Sequence, residues 1–212
     1  VEEEGNRLTA LSVRGMHLPG FGNYVDLDVK QGEIVGIAGL QGHGQSELVR
    51  KLFGLSHAVN VTFNGREITY HSPIEAIQHG IAFISGDREK EGVFREQSVS
   101  ENLNVVRQIV LKGRNGRTDT DLLREYGVVY DSLQQKLTEL SGGNQQKVVI
   151  GRWISAAPKL LLADDPTKGI DVNARSDVHK LMHDLTEKGA AILMFSSDDG
   201  ELVRLTRHAA CA

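Results

Sequence analysis

The stretch "GLQGHGQSE", residues 39–47, sets Gly39, Gly42 and Gly44 ahead of a hydroxyl residue, Ser46. Glycines so spaced let backbone N–H groups close around phosphate oxygens, and the hydroxyl is placed to hold Mg²⁺. His43, Gln45 and Glu47 complete the loop. The G-x-x-x-x-G-K-[ST] pattern has lysine where this chain has Gln45. Glutamine brings no positive charge to the phosphates, and a charge-assisted hydrogen bond is worth roughly 1.5–3 kcal/mol. Its loss lowers affinity by roughly 10- to 150-fold. The amide cradle remains, so the expectation is weakened binding of a nucleotide phosphate chain.

Two further stretches can do chemistry. "LSGGNQQK" (140–147) places Ser141, Gly142, Gly143 and Gln145 where a helical pattern begins. A hydroxyl and free backbone N–H groups at a helix N-terminus suit an anion. "KLLLADDPTKGID" (159–171) is an apolar run ending in Asp164 and Asp165, with Asp171 close behind.

The elements that must position these residues alternate between strand and helix. Residues 8–13, 25–29 and 61–63 alternate apolar with polar, as half-buried antiparallel strands do. "GEIVGIAG" (32–39) is continuously apolar, as in a buried parallel strand, and a helix follows from Ser46 to Gly54. "SPIEAIQHG" carries Ser72 as N-cap, Pro73 at the first helical position, Glu75 for a capping box and Gly80 as stop. "IAFIS" reads as another buried strand. The charged, helical segment from Asp87 to Leu140, broken by "KGRNGRTDTD", reads as an inserted lobe. A helix from Gly142, the strand "KLLLAD" and a long helix come next. In that last helix Val178, Leu181, Met182 and Leu185 share a face and Gly189 ends it. "AILMFSS" is expected to be the last strand. The predicted fold is α/β: a P-loop NTPase core with a mostly parallel sheet, an antiparallel β side sheet (about 8–30 and 59–70) and an α-helical lobe (about 88–147).

The 212 residues suffice for one such domain, read as spanning 1–212, and a net charge of −4 argues against broad nucleic-acid binding. No apolar run nears the roughly 20 residues that cross a bilayer. A single cysteine, Cys211, fits a reducing compartment. Val1 and the ending "TRHAACA", with no closing element after a strand-helix unit, lead us to expect a piece of a longer chain.

"LSGGNQQK" with "LLLADDPTKGID" resembles the signature motif, Walker B strand and D-loop of ATP-binding cassette ATPases. Together with "PTKGIDV" the chain is most similar to monosaccharide importer subunits of the ribose, galactose or xylose type, from about Leu8 to Arg207. Those subunits carry two cassettes, and the second typically has a modified phosphate loop and serine for the switch histidine. "GLQGHGQSEL" and "FSSDD" look like that second, C-terminal half. The resemblance implies ATP and Mg²⁺ as ligands, with Ser46 and Asp164 at the metal. It puts Asp165 at the catalytic glutamate, one methylene (about 1.5 Å) shorter, Ser197 at the switch histidine and Gly86 near the Q-loop position. These departures, with Gln45, imply slow or absent hydrolysis at the chain's own loop.

In the family two cassettes pair head to tail. The resemblance therefore implies that Ser141, Gly142, Gly143 and Gln145 serve the partner's ATP, with Asp171 crossing the interface. Implied partners are a second cassette (the N-terminal half of the same chain) and transmembrane permease subunits, at the cytoplasmic face of a bacterial membrane; no nucleic acid is implied. A non-catalytic regulatory nucleotide-binding or dimerisation module is the alternative. Phe21 and Tyr24 are candidates to stack on adenine, with side-sheet packing the plainer reading. The eight histidines show no metal-ligand pattern; His179 and His183 are assigned to a solvated helix face, and Trp153 to the core.

Overall fold

The computed structural model describes residues 7–18, 24–38, 44–56, 58–111, 117–206 and 208–211. Gly39, Gly42, His43 and Phe21, and the first half of "KGRNGRTDTD" (112–116), lie outside them.

Two sheets form from two hydrophobic patterns. The continuously apolar runs become β3 (Ile34–Ala38), β6 (Ile81–Ile84), β7 (Leu160–Asp164) and β8 (Ala191–Phe195). They pair in parallel, and every residue of β6, β7 and β8 is buried, as strands covered on both faces must be. The alternating runs become β1 (Thr9–His17), β2 (Tyr24–Lys30), β4 (Val59–Phe63) and β5 (Arg66–Tyr70), antiparallel in the order β2-β1-β4-β5. Asn64 and Gly65, both at positive φ, close the β4–β5 hairpin as a two-residue turn.

The parallel sheet has a fifth strand. β9 (His208–Cys211) pairs with β3, Gly36 opposite Ala209 and Ala38 opposite Cys211, and the order is β6-β7-β8-β3-β9. "AILMFSS" is therefore not the last strand, and the chain does carry a closing element. "HAAC" lacks the β-branched or aromatic residues that announce a strand. What makes it one is the open edge of β3.

The helices are α1 (Gln45–Leu52), α2 (Pro73–Gln78), α3 (Val99–Leu111), α4 (Asp119–Glu125), α5 (Gly142–Ile154), α6 (Val172–Glu187) and α7 (Asp199–Leu205). Arg88–Gly92 is a π-turn and Leu137–Glu139 a 3₁₀ turn. In α2 the Ser72 side chain accepts from the Glu75 N–H at 3.4 Å, while Glu75 reaches back to the His71 N–H at 2.9 Å. α6 buries Val178, Leu181, Met182 and Leu185, each worth about 1.5–3 kcal/mol over exposure. Trp153 is buried and meets Phe53 edge-on. Lys147, the last residue of "LSGGNQQK", is buried as well. Its ammonium donates to the Gly127 carbonyl and to Asp177, tying the end of α4 to α6. Among the described residues, no helix is long and apolar enough to cross a membrane.

Candidate active site

In a parallel sheet crossed by helices, the carboxyl ends of the strands face the helix N-termini and form the ligand crevice. A cleft of about 590 Å³ lies there, where α1 begins beside the ends of β6, β7 and β8. Gly44 caps α1 at φ 96, a left-handed geometry that suits glycine, so Ser46 is the second helical residue and not the cap. Gln45 is 1% exposed and lines the cleft. The Ser46 hydroxyl donates to Asp164 Oδ2 at the end of β7. Burial pushes the Asp164 carboxyl above the ordinary aspartate value, against the pull of the Ser46 hydrogen bond and the charge of Arg50. A hydroxyl and a carboxylate in contact are hard oxygen donors, and they fit a Mg²⁺ that fills its remaining positions with waters and phosphate oxygens.

Asp165 follows at φ 48, a region aspartate tolerates better than most residues, and it is buried. Its carboxylate accepts the Ser197 N–H at 3.3 Å, so both expected catalytic positions meet through the backbone of the second. Gly86, two residues past the end of β6, lies directly against them. A methyl group there would stand 3.0 Å from the Asp164 carbonyl and 3.5 Å from Asp165 Cβ. The side chain missing at residue 86 thus matches space that the two aspartates occupy.

Sequence reasoning missed Arg50. It lies one turn after Ser46 on the same face of α1, a legible i, i+4 spacing. Its guanidinium forms a fork with Glu91, at 2.7 and 3.0 Å, and Glu91 also accepts the Ser85 hydroxyl at 2.5 Å. Arg50 and Lys168 are the cations lining the cleft among the described residues, and Glu47, Asp87, Asp164 and Asp165 are its carboxylates.

The N-terminus of α5 is a second, separate feature. Ser141 caps it, exposed, its hydroxyl accepting from the Asn144 N–H at 3.4 Å. Gly142 and Gly143 open the first turn. A methyl group at Gly143 would lie 2.5 Å from Ala174 Cβ, so only glycine lets α5 meet the start of α6. Gln145 turns its amide to the Leu140 carbonyl at 2.8 Å. Asp171 caps α6, accepting from the N–H groups of Asn173 and Ala174 at 3.0 and 2.9 Å.

Two assignments require correction. His179 does not lie on a solvated face: its side chain is 17% exposed, with Nε2 2.5 Å from the Glu201 carboxylate. α7 folds over that part of α6, a contact no local periodicity reports. Tyr24 is not packed in the side sheet but 71% exposed, edge-on to His17.

Residues 23–168 match the ABC transporter family. The chain belongs to that family. It is 41% identical over 92% of its length to the ribose import ATP-binding protein RbsA 1 of Rubrobacter xylanophilus, covering 41% of that protein. It is 37% identical over 92% to a putative ribose/galactose/methyl galactoside import ATP-binding protein of Hahella chejuensis, covering 40% of it. The chain thus spans about two fifths of the length of these curated relatives. Its fold is that of a nucleotide-free ATP-binding cassette from an ABC transporter (TM-score 0.76, 21% identity, 96% of this chain and 87% of that one). The dimeric bacterial ABC transporter cassette MJ0796 shares it too (TM-score 0.74, 21% identity, 97% and 91%).

Proposed function

We propose that this chain is the C-terminal nucleotide-binding cassette of an importer of simple sugars. In this reading it binds Mg-ATP weakly at its own loop and lends its signature to a partner cassette. The observation that carries the reading is the charge of the cleft. Among the described residues four carboxylates line it against two cations, with an uncharged Gln45 where the loop pattern has lysine. An ATP polyanion gains little there from side chains and depends on backbone N–H groups and the metal. Mg²⁺ held by Ser46 and Asp164 would neutralise phosphate charge. Asp165, too short to reach as a base and engaged by Ser197, would support slow turnover at most.

The start of α5 has the opposite character. Ser141 is exposed and caps a 13-residue helix whose positive end lies behind it. This arrangement suits the γ-phosphate of an ATP bound to the partner. The relatives' sugar-import names support the substrate class and the dimeric cassette supports the pairing; in this reading the permease docks at the lobe from residue 88 and the cleft near Gly86. The assembly would sit on the cytoplasmic face of the membrane.

ATPase rates test this reading for the chain alone, for the chain joined to a cassette with a lysine-bearing loop, and for that joined protein with Ser141→Ala. We expect background turnover alone, strong turnover when joined, and at least ~10-fold loss on removing Ser141. Vigorous hydrolysis by the chain alone overturns the weak-loop reading. An unchanged rate in Ser141→Ala overturns the signature-in-trans reading. Mg-ATP binding without turnover in the joined protein favours the regulatory module instead.

A further inference from the structure

Glu201 is fully buried, yet it belongs to neither the cleft nor the signature. A buried carboxylate is costly unless donors surround it. Here three converge from three places in the chain. Thr167, just beyond the Walker B acids, donates its hydroxyl to Oε1 at 2.7 Å. Ser196, at the end of β8, donates to Oε2 at 2.5 Å. His179 of α6 meets Oε1 at 2.5 Å. The surrounding contacts extend the cluster in both directions. Ser196 Oγ accepts the Asp198 N–H at 3.1 Å, and Asp198 pairs with Arg175 at 2.5 Å. On the other side, Gln146 of the signature helix donates to the Pro166 carbonyl at 2.5 Å.

We propose that Glu201 is a positioning residue that latches the segment leading into the D-loop to the switch segment, so that both move as one body with the signature helix. The proposal rests on the reading of this chain as a cassette that serves its partner. In that reading Asp171 and the signature are the parts offered to the partner's ATP, while Asp165 lines the chain's own cleft and is met by the Ser197 N–H. Glu201 joins the two sets: Thr167 stands two residues from Asp165 and four from Asp171, and Ser196 adjoins Ser197. A cassette with poor turnover of its own can in this way hold a rigid surface for the site that hydrolyses. The partner-side rate then depends on a carboxylate that touches no nucleotide.

The test uses amide hydrogen exchange on this chain, read at Lys168 and Ile170 on the D-loop side and at Ser197 and Asp198 on the switch side. Thr167→Val is nearly isosteric and removes one donor to Glu201 from the D-loop side alone. Exchange should rise about 10-fold at Ser197 and Asp198 as well as at Lys168 and Ile170. Glu201→Gln keeps an acceptor for Thr167 and should stay within about threefold of the parent, whereas Glu201→Leu should loosen both segments. In the joined two-cassette protein, Thr167→Val should lower kcat several-fold and leave KM for ATP within about twofold. Exchange confined to residues 166–171 in Thr167→Val overturns the latch, and coupled exchange with an unchanged kcat overturns its role in turnover. A parent chain that binds no Mg-ATP defeats the cassette reading, and the exchange experiment still decides the latch.

Discussion

The phosphate-loop cleft and the start of α5 draw on the same parts in the sequence, glycines ahead of a helix with a serine at hand. They differ in what surrounds those parts. At the cleft, Ser46 is occupied by Asp164, Gln45 is buried and carboxylates crowd the mouth. At α5, Ser141 is exposed at the cap, and the glycines behind it are held by packing against α6 and Arg88. A phosphate site needs both a shaped backbone and a favourable field. The cleft has little of the second, whereas α5 offers it through its dipole.

The packing side of this contrast breaks most sharply at Gly143. Replacing it with leucine forces side-chain atoms into Ala174, and we expect a loss near the upper end for overpacking, about 3 kcal/mol, in chemical denaturation. A stability loss under ~0.5 kcal/mol would show that α5 and α6 can part without cost. The field at the cleft is tested next. Gln45→Lys should tighten Mg-ATP binding by about 2 kcal/mol, or roughly 30-fold by calorimetry, if missing charge is the defect. An unaltered affinity would place the defect in the carboxylates instead.

Asp164→Asn sharpens the same point with a smaller effect. Folding raises the Asp164 pKa through burial, so at neutral pH its ionised form works against the folded state, and the penalty is relieved as pH falls through that raised value. The amide should therefore stabilise the nucleotide-free chain, read as a rise in Tm, while Mg-nucleotide no longer adds to it. A fall in Tm would contradict the burial argument. Asp165→Glu should change least. The added methylene supplies reach, but Gly86 and Ser197 remain, so the chain's own ATPase rate should rise by less than about threefold. A rise of 100-fold would make side-chain length the whole deficit.

Residues close in sequence declared themselves. The continuous apolar runs of β3, β6, β7 and β8, the alternating strands of the side sheet, the capped start of α2 and the amphipathic face of α6 all follow from local hydrophobic pattern and cap chemistry. The motifs likewise placed glycines ahead of α1 and α5 and acids at the end of β7, because caps and strand ends are local devices. Even "NG" at residues 64–65 carried a hairpin signal in the chain itself.

Contacts between segments far apart in the chain did not. β9 became a strand because β3 offered an unpaired edge, and nothing in "HAAC" announces it. His179 left the solvent because α7 brought Glu201 onto it from 22 residues away. Arg50 became a lining residue of the cleft only when Glu91 fixed its guanidinium there. The sequence by itself determined the elements, the order of the motifs and the missing charge at Gln45, since these depend on residue type and neighbours along the chain. Only the tertiary structure decided which carboxylates share the cleft, why Gly143 and Gly86 have no side chain, and that Glu201 joins both halves of the site. Burial and close approach are properties of packed elements, and no period in the chain encodes them.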